Sequence, residues 1–108
     1  MSEHVTPTVR QLRVMHLIAG GRERDGFPPT IRELMTKLKI ASSHGVWCHL
    51  DTLREKGLVT WQPAKGRTLD VTPAGQQWLG KTPEQHAAEL EREKKAERRL
   101  RAMRRGAA

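Results

Sequence analysis

The chain has 108 residues, 36% of them hydrophobic, with three Trp, one Phe and no Tyr, which allows one small, mostly aliphatic domain plus an appendage. No run of roughly 18 apolar residues is present to span a membrane, MSEHVTPTVR lacks the apolar core of a signal peptide, and a single Cys excludes an internal disulfide, so a cytoplasmic location is expected. The net charge of +8 is unevenly placed: Lys94, Lys95, Arg98, Arg99, Arg101, Arg104 and Arg105 face only Glu97 in their stretch, a net +6 that leaves +2 for the rest. Such a block suits a polyanion, nucleic acid first, although a solvated charged tail is the plainer reading.

The first helix is expected from Thr8, because Thr8-Val9-Arg10-Gln11 has the capping-box form, and Val14, Leu17 and Ile18 give it a one-sided apolar stripe. Asp25-Gly26-Phe27-Pro28-Pro29 breaks it. Thr30-Ile31-Arg32-Glu33 is a second capping box, opening a short helix lined by Ile31, Leu34 and Leu38. Lys39-Ile40-Ala41 makes a turn, Ser42 or Ser43 caps a third helix, and Gly57 stops it. Leu58–Gln62 and Arg67–Val71 alternate like strands around a Pro63-Ala64-Lys65-Gly66 turn. Thr72-Pro73 starts a short helix carrying Trp78 and Leu79. Thr82-Pro83-Glu84-Gln85 is a third capping box, after which nothing interrupts a helix until about Arg105.

Two short one-sided helices joined by a tight turn form a helix-turn-helix, and a hairpin directly after the second makes the winged version. The fold expected is mainly α with a small β-hairpin: three helices plus a wing over residues 1–81, then a basic helical extension over 82–108. On the third helix Val46, Leu50 and Leu53 define the buried direction, with His44, Cys48 and Asp51 opposite, Trp47 on one shoulder and Gly45 on the other. Asp51 and Glu55 come late, which suits a helix entering a major groove by its first turns and holding carboxylates away from phosphate.

Thr8, Gln11, Val14, Leu17 and Ile18, then Gly26-Phe27-Pro28-Pro29-Thr30-Ile31-Arg32-Glu33, then Leu38, Ser42, Val46, His49-Leu50, Leu53 and Lys56-Gly57-Leu58-Val59 resemble the DNA-binding domain of the LexA repressor family, without a gap from Thr8 to Val59 and more loosely to Val71. The resemblance implies a transcription regulator of a prokaryote or phage, most simply a repressor of duplex DNA. It implies base reading from positions matching Ser42, His44, Gly45, Trp47 and Cys48. His44, Trp47 and Cys48 depart from the family's usual residue types, so a different operator is expected. In place of the family's self-cleaving protease and dimerisation domain, the basic segment from Thr82 is expected to follow the reading head. Because such heads bind weakly alone, affinity is expected from tail contacts or from pairing.

Ser43 joins the cap, and Arg10 and Arg32, near helix starts, are expected on the DNA backbone, as are Lys65, Gly66 and Arg67 at the wing tip. Trp47 has two readings, packing on thymine methyls or closing the core beside the first helix. His44 and Cys48, four apart, make a poor zinc site without further ligands, and a thiol within a helix is more often inert than reactive. His49 is expected packed or on phosphate. No nucleophile–base set, glycine loop or carboxylate pair indicates an enzyme, and no cofactor is called for. Leu90, Ala96, Leu100 and Met103 give the last helix a partial stripe that allows a homodimer, antiparallel so that Glu84, Glu89, Glu91 and Glu93 lie beside the other copy's basic end. The alternative to a DNA-reading repressor is an adaptor docking on RNA polymerase or another regulator.

Overall fold

Hydroxyl caps set where the helices begin. The computed structural model describes residues 6–62 and 68–106, with side chains described as far as Met103 in the last helix. In helix α1, Val9–Asp25, Thr8 Oγ1 accepts from the Gln11 amide at 3.1 Å and Gln11 Oε1 accepts from the Thr8 amide at 3.0 Å, a complete capping box. The expected stripe is present at Val14 and Ile18, both fully buried, but Leu17 is only partly buried while Leu12 and Met15 are enclosed. The difference has a tertiary cause. Helix α2 (Ile31–Leu38), helix α3 (Ser43–Glu55), strand β2 (Asp70–Val71) and helix α5 (Pro83–Gly106) all pack on α1, so more than one of its faces is buried.

Thr30 Oγ1 caps α2 by accepting from the Glu33 amide, and Leu34 and Leu38 enter the core with Ile31 packed at its margin. Lys39 then takes a left-handed conformation (φ 56°), and the Ile40 amide reaches back to the Met35 carbonyl at 3.0 Å. Ser42 is the cap of α3, its Oγ accepting from the Gly45 amide at 3.2 Å. Gly57 (φ 75°) closes α3 in a Schellman arrangement. Its amide donates to the Arg54 carbonyl and the Leu58 amide to the Leu53 carbonyl, each at 2.9 Å.

The wing ladder is shorter than the alternating sequence suggests. Strand β1, Val59–Thr60, pairs antiparallel with β2, Val59 opposite Val71 and Thr60 opposite Asp70. Leu58 is excluded because its amide serves the α3 cap, although its carbonyl still accepts from the Thr72 amide across the two arms. The Gln62 amide donates to Thr68 Oγ1 at 2.7 Å, holding the arms together beyond the ladder. The expected turn at Pro63-Ala64-Lys65-Gly66, with Arg67, lies outside the described residues.

Helix α4 is only Pro73–Gln76, so Trp78 and Leu79 are not on it. The amides of Trp78, Leu79 and Lys81 each bond three residues back, and these tight turns end the helix before the tryptophan. The core comprises Leu12, Val14, Met15, Ile18, Leu34, Leu38, Val46, Leu50, Leu53, Leu58, Val59, Leu69 and Val71, so all three helices of the motif and both wing strands share it. The result is a winged helix-turn-helix with a long terminal helix. Among the described residues no helix is long and apolar enough to cross a membrane.

Helix α5 is one helix with two environments. Thr82 and Gln85 form its capping box, and His86, 2% exposed, donates from Nε2 to the Pro7 carbonyl at 2.7 Å and sets its ring edge-on to Trp78. His16 on α1 donates to the Lys81 carbonyl at 2.6 Å, and Arg13 faces Glu84 at 3.8 Å. The boundary drawn after residue 81 therefore falls just before two turns that lie on α1. From Glu91 to Met103 every residue is exposed, and the molecule measures 59 Å along its long axis against 28 and 23 Å across.

Candidate nucleic-acid interface

The face of α3 opposite Val46, Leu50 and Leu53 is open. Ser42, Ser43, His44, Trp47, Cys48 and Asp51 are exposed, while Gly45 is half-buried. Gly45 meets the turn before it: a Cβ there would sit 2.8 Å from Ile40 Cγ2, so the missing side chain lets Ile40 close over the first turn of α3. His44 Nε2 lies 3.5 Å from Cys48 Sγ, so the pair occupies one patch of the outer face. Among the described residues they belong to no group of three or more His, Cys, Asp or Glu placed to hold a metal.

Trp47 is neither in the buried core nor among the partly buried hydrophobics packed against it. Its ring meets Trp61, just beyond β1, at a centroid distance of 5.8 Å and a tilt of 59°, and remains 40% exposed. The Arg54 guanidinium stacks over Trp61 at 4.6 Å. Trp47 and Arg54 are seven residues apart, two turns along one side of α3, so Trp61 joins the wing's base to the helix at both. Sequence reasoning assigned neither Arg54 nor Trp61 a role. The seven-residue spacing and the aromatic at the end of the first strand were the available signals.

Arg10 and Arg32 are exposed, on α1 and α2 respectively. Arg10 lies close enough to half-buried His49 to act on it: burial is the main cause that lowers the His49 pKa below its ordinary value, and the Arg10 charge adds to it. Lys56, at the end of α3, donates to the Thr6 carbonyl and to Gln11 Oε1 at 2.9 and 2.7 Å, and burial lowers its pKa. That lysine ties the α1 capping box to the end of α3. Lys65, Gly66 and Arg67 lie outside the described residues.

In the tail, Lys94, Lys95, Arg98, Arg99 and Arg101 are exposed on the free part of α5, and the backbone places Arg104 and Arg105 in its last turns. Two of the acids that antiparallel pairing would use are engaged within the chain. Glu84 faces Arg13, and Glu89 meets Lys81 at 2.5 Å, a hydrogen bond that leads in lowering the Glu89 pKa.

The family model for the LexA DNA binding domain matches residues 5–68, well over half of the chain. The chain belongs to the LexA DNA-binding domain family. A LexA repressor from Anaeromyxobacter sp. (strain Fw109-5) is 47% identical over 73 residues, 68% of this chain and 32% of the relative. LexA repressors from Limosilactobacillus fermentum and Enterococcus faecalis are 37% and 38% identical, over 72% and 68% of this chain and 38% and 35% of their own lengths. The chain thus spans about a third of the length of the curated relatives it matches, in their amino-terminal region. The family match takes in α1, α2, α3 and β1 and stops short of α4 and α5.

Proposed function

We propose that the chain binds duplex DNA sequence-specifically and represses transcription, reading the major groove with the helix Ser43–Lys56. The observation that carries this reading is the coincidence of the family match with an α3 whose outer face is uncovered. Ser43, His44, Trp47 and Cys48, with Ser42 and Gly45 at the helix start, read or approach bases. Arg10, Arg32, Lys65, Gly66 and Arg67 hold the phosphate backbone, and the basic residues of α5 add sequence-independent contacts. Residues 1–81 act as the reading head and 82–108 as its electrostatic extension. Docking on RNA polymerase as an adaptor draws no support from relatives named as repressors. An α5-mediated homodimer is a weaker reading than phosphate contact, because Glu84 and Glu89 are already engaged.

Selection of bound fragments from random duplex DNA tests the reading and should return a sharp consensus. On that consensus His44→Ala should cost roughly 1–3 kcal/mol, with little change on random DNA. Equal losses on both would remove His44 from base reading, and the absence of any consensus would overturn sequence-specific binding.

A further inference from the structure

Trp47 is anomalous for an exposed aromatic because it is braced. A free indole on a helix surface samples several rotamers, and fixing one has an entropic cost at the moment of binding. Here the cost is met in advance by Trp61, against which Trp47 packs, and by Arg54, whose guanidinium stacks on Trp61. The braces come from different elements, Arg54 from α3 itself and Trp61 from the chain leaving β1. What remains open is part of one rigid apolar ring, 40% exposed, next to Cys48 and one turn from His44. That area is too small to seat a protein partner, which needs on the order of 800 Å² per side. It does match a single methyl group. The one apolar group that base pairs present in a major groove is the C5-methyl of a pyrimidine.

We infer that Trp47, held by Trp61 and Arg54, forms a methyl-reading platform that selects a C5-methylated pyrimidine, thymine or 5-methylcytosine, at one position of the bound DNA. The inference rests on the proposed reading of the groove by α3. It names the chemical group read there and two positioning residues, Trp61 and Arg54. It also gives a physical reason for an aromatic on this helix: indole makes no useful hydrogen bond to a methyl, but a fixed ring buries it.

The test uses the full chain and its selected consensus duplex, with each thymine replaced singly by deoxyuridine and each cytosine singly by 5-methylcytosine. Burying one methyl predicts a change of about fourfold in Kd, confined to one position. If that position is a thymine, deoxyuridine weakens binding. If it is a cytosine, methylation strengthens it. Trp47→Ala should abolish the methyl effect at that position with only a small fall in the melting temperature, from loss of the Trp61 contact, since the side chain is outside the core. Trp61→Leu, which keeps apolar bulk at the wing base, should shrink the methyl effect with His44 contacts intact. A sharp consensus indifferent to every methyl exchange overturns the platform but leaves sequence-specific binding standing. So does a methyl effect that persists in Trp47→Ala. Failure to select any consensus overturns both.

Discussion

Helix α3 is exposed on one side and the outer half of α5 on every side, and the two are held by different forces. In α3, Val46, Leu50 and Leu53 are fully buried against α1, α2 and β1, so the helix cannot turn or slide without opening the core. From Glu91 to Met103 every residue of α5 is exposed, Leu100 and Met103 to 54% and 70%. A segment of that length is marginal as a free helix, and its support comes from the docked turns before it and from spacings such as Glu91–Lys95 and Glu97–Arg101. The contrast teaches where each kind of recognition belongs. Under the proposed function, base reading, which needs side chains fixed to a fraction of an ångström, would fall to the braced helix, whereas attraction to a polyanion needs only charge and tolerates an unbraced one.

Loss of a core side chain of α3 has the largest expected effect. Leu50→Ala should destabilise the fold by roughly 2–5 kcal/mol, because a fully buried side chain is removed from a small core. Leu100→Ala on α5 should change stability by less than about 0.5 kcal/mol. Paired denaturant melts check both, and comparable losses would mean that the outer part of α5 is packed in solution.

A smaller effect is expected at the hinge between the two regimes. His86→Ala removes the bond to Pro7 and the edge contact with Trp78, at a cost of about 1–3 kcal/mol. Its signature is the release of α5 from α1, seen as faster hydrogen exchange in residues 83–90 with α3 protection retained. Loss of protection across α3 as well would make the docked turns of α5 integral to the core.

The tail is next in size. Deleting residues 94–108 should lower affinity for every DNA and flatten the salt dependence by several phosphate equivalents, with the preferred sequence unchanged. Binding at full strength, with loss of a dimer by sedimentation, would instead assign the tail to pairing.

Much of this contrast was legible in the sequence. The caps at Thr8, Thr30, Ser42 and Thr82 are local, each needing only a hydroxyl three residues before the amide it accepts from, and each was found at its expected place or, at Ser42, as one of two choices. The phase of α3 was legible because a single face is buried. The phase of α1 was only half legible, since a central helix buries Leu12 and Met15 as well, and a stripe rule cannot count its neighbours in advance. The brace on Trp47 was hidden for a related reason. Trp61 lies fourteen residues away, and only the wing's return along α3 brings the two rings together.

The smallest predicted effect lies on the flank of α3. His49 is held below its ordinary pKa chiefly by burial, and secondarily by the positive charge of Arg10. Well above pH 6.5, about the ordinary histidine value, the imidazole is neutral in both the folded and the unfolded chain, and pH has no effect through it. As pH falls below that value the unfolded chain takes up the proton first, while the folded chain resists until its own lower pKa is reached. Stability from this residue is therefore present above about pH 6.5, declines between the two pKa values and is level below the folded one. The difference between the wild type and His49→Gln isolates this residue. It should be flat above pH 7 and narrow on acidification. Arg10→Gln should make the wild-type decline shallower without removing it, because burial is the larger cause. Wild-type and His49→Gln melting curves that stay parallel down to pH 5 would put the imidazole in open water.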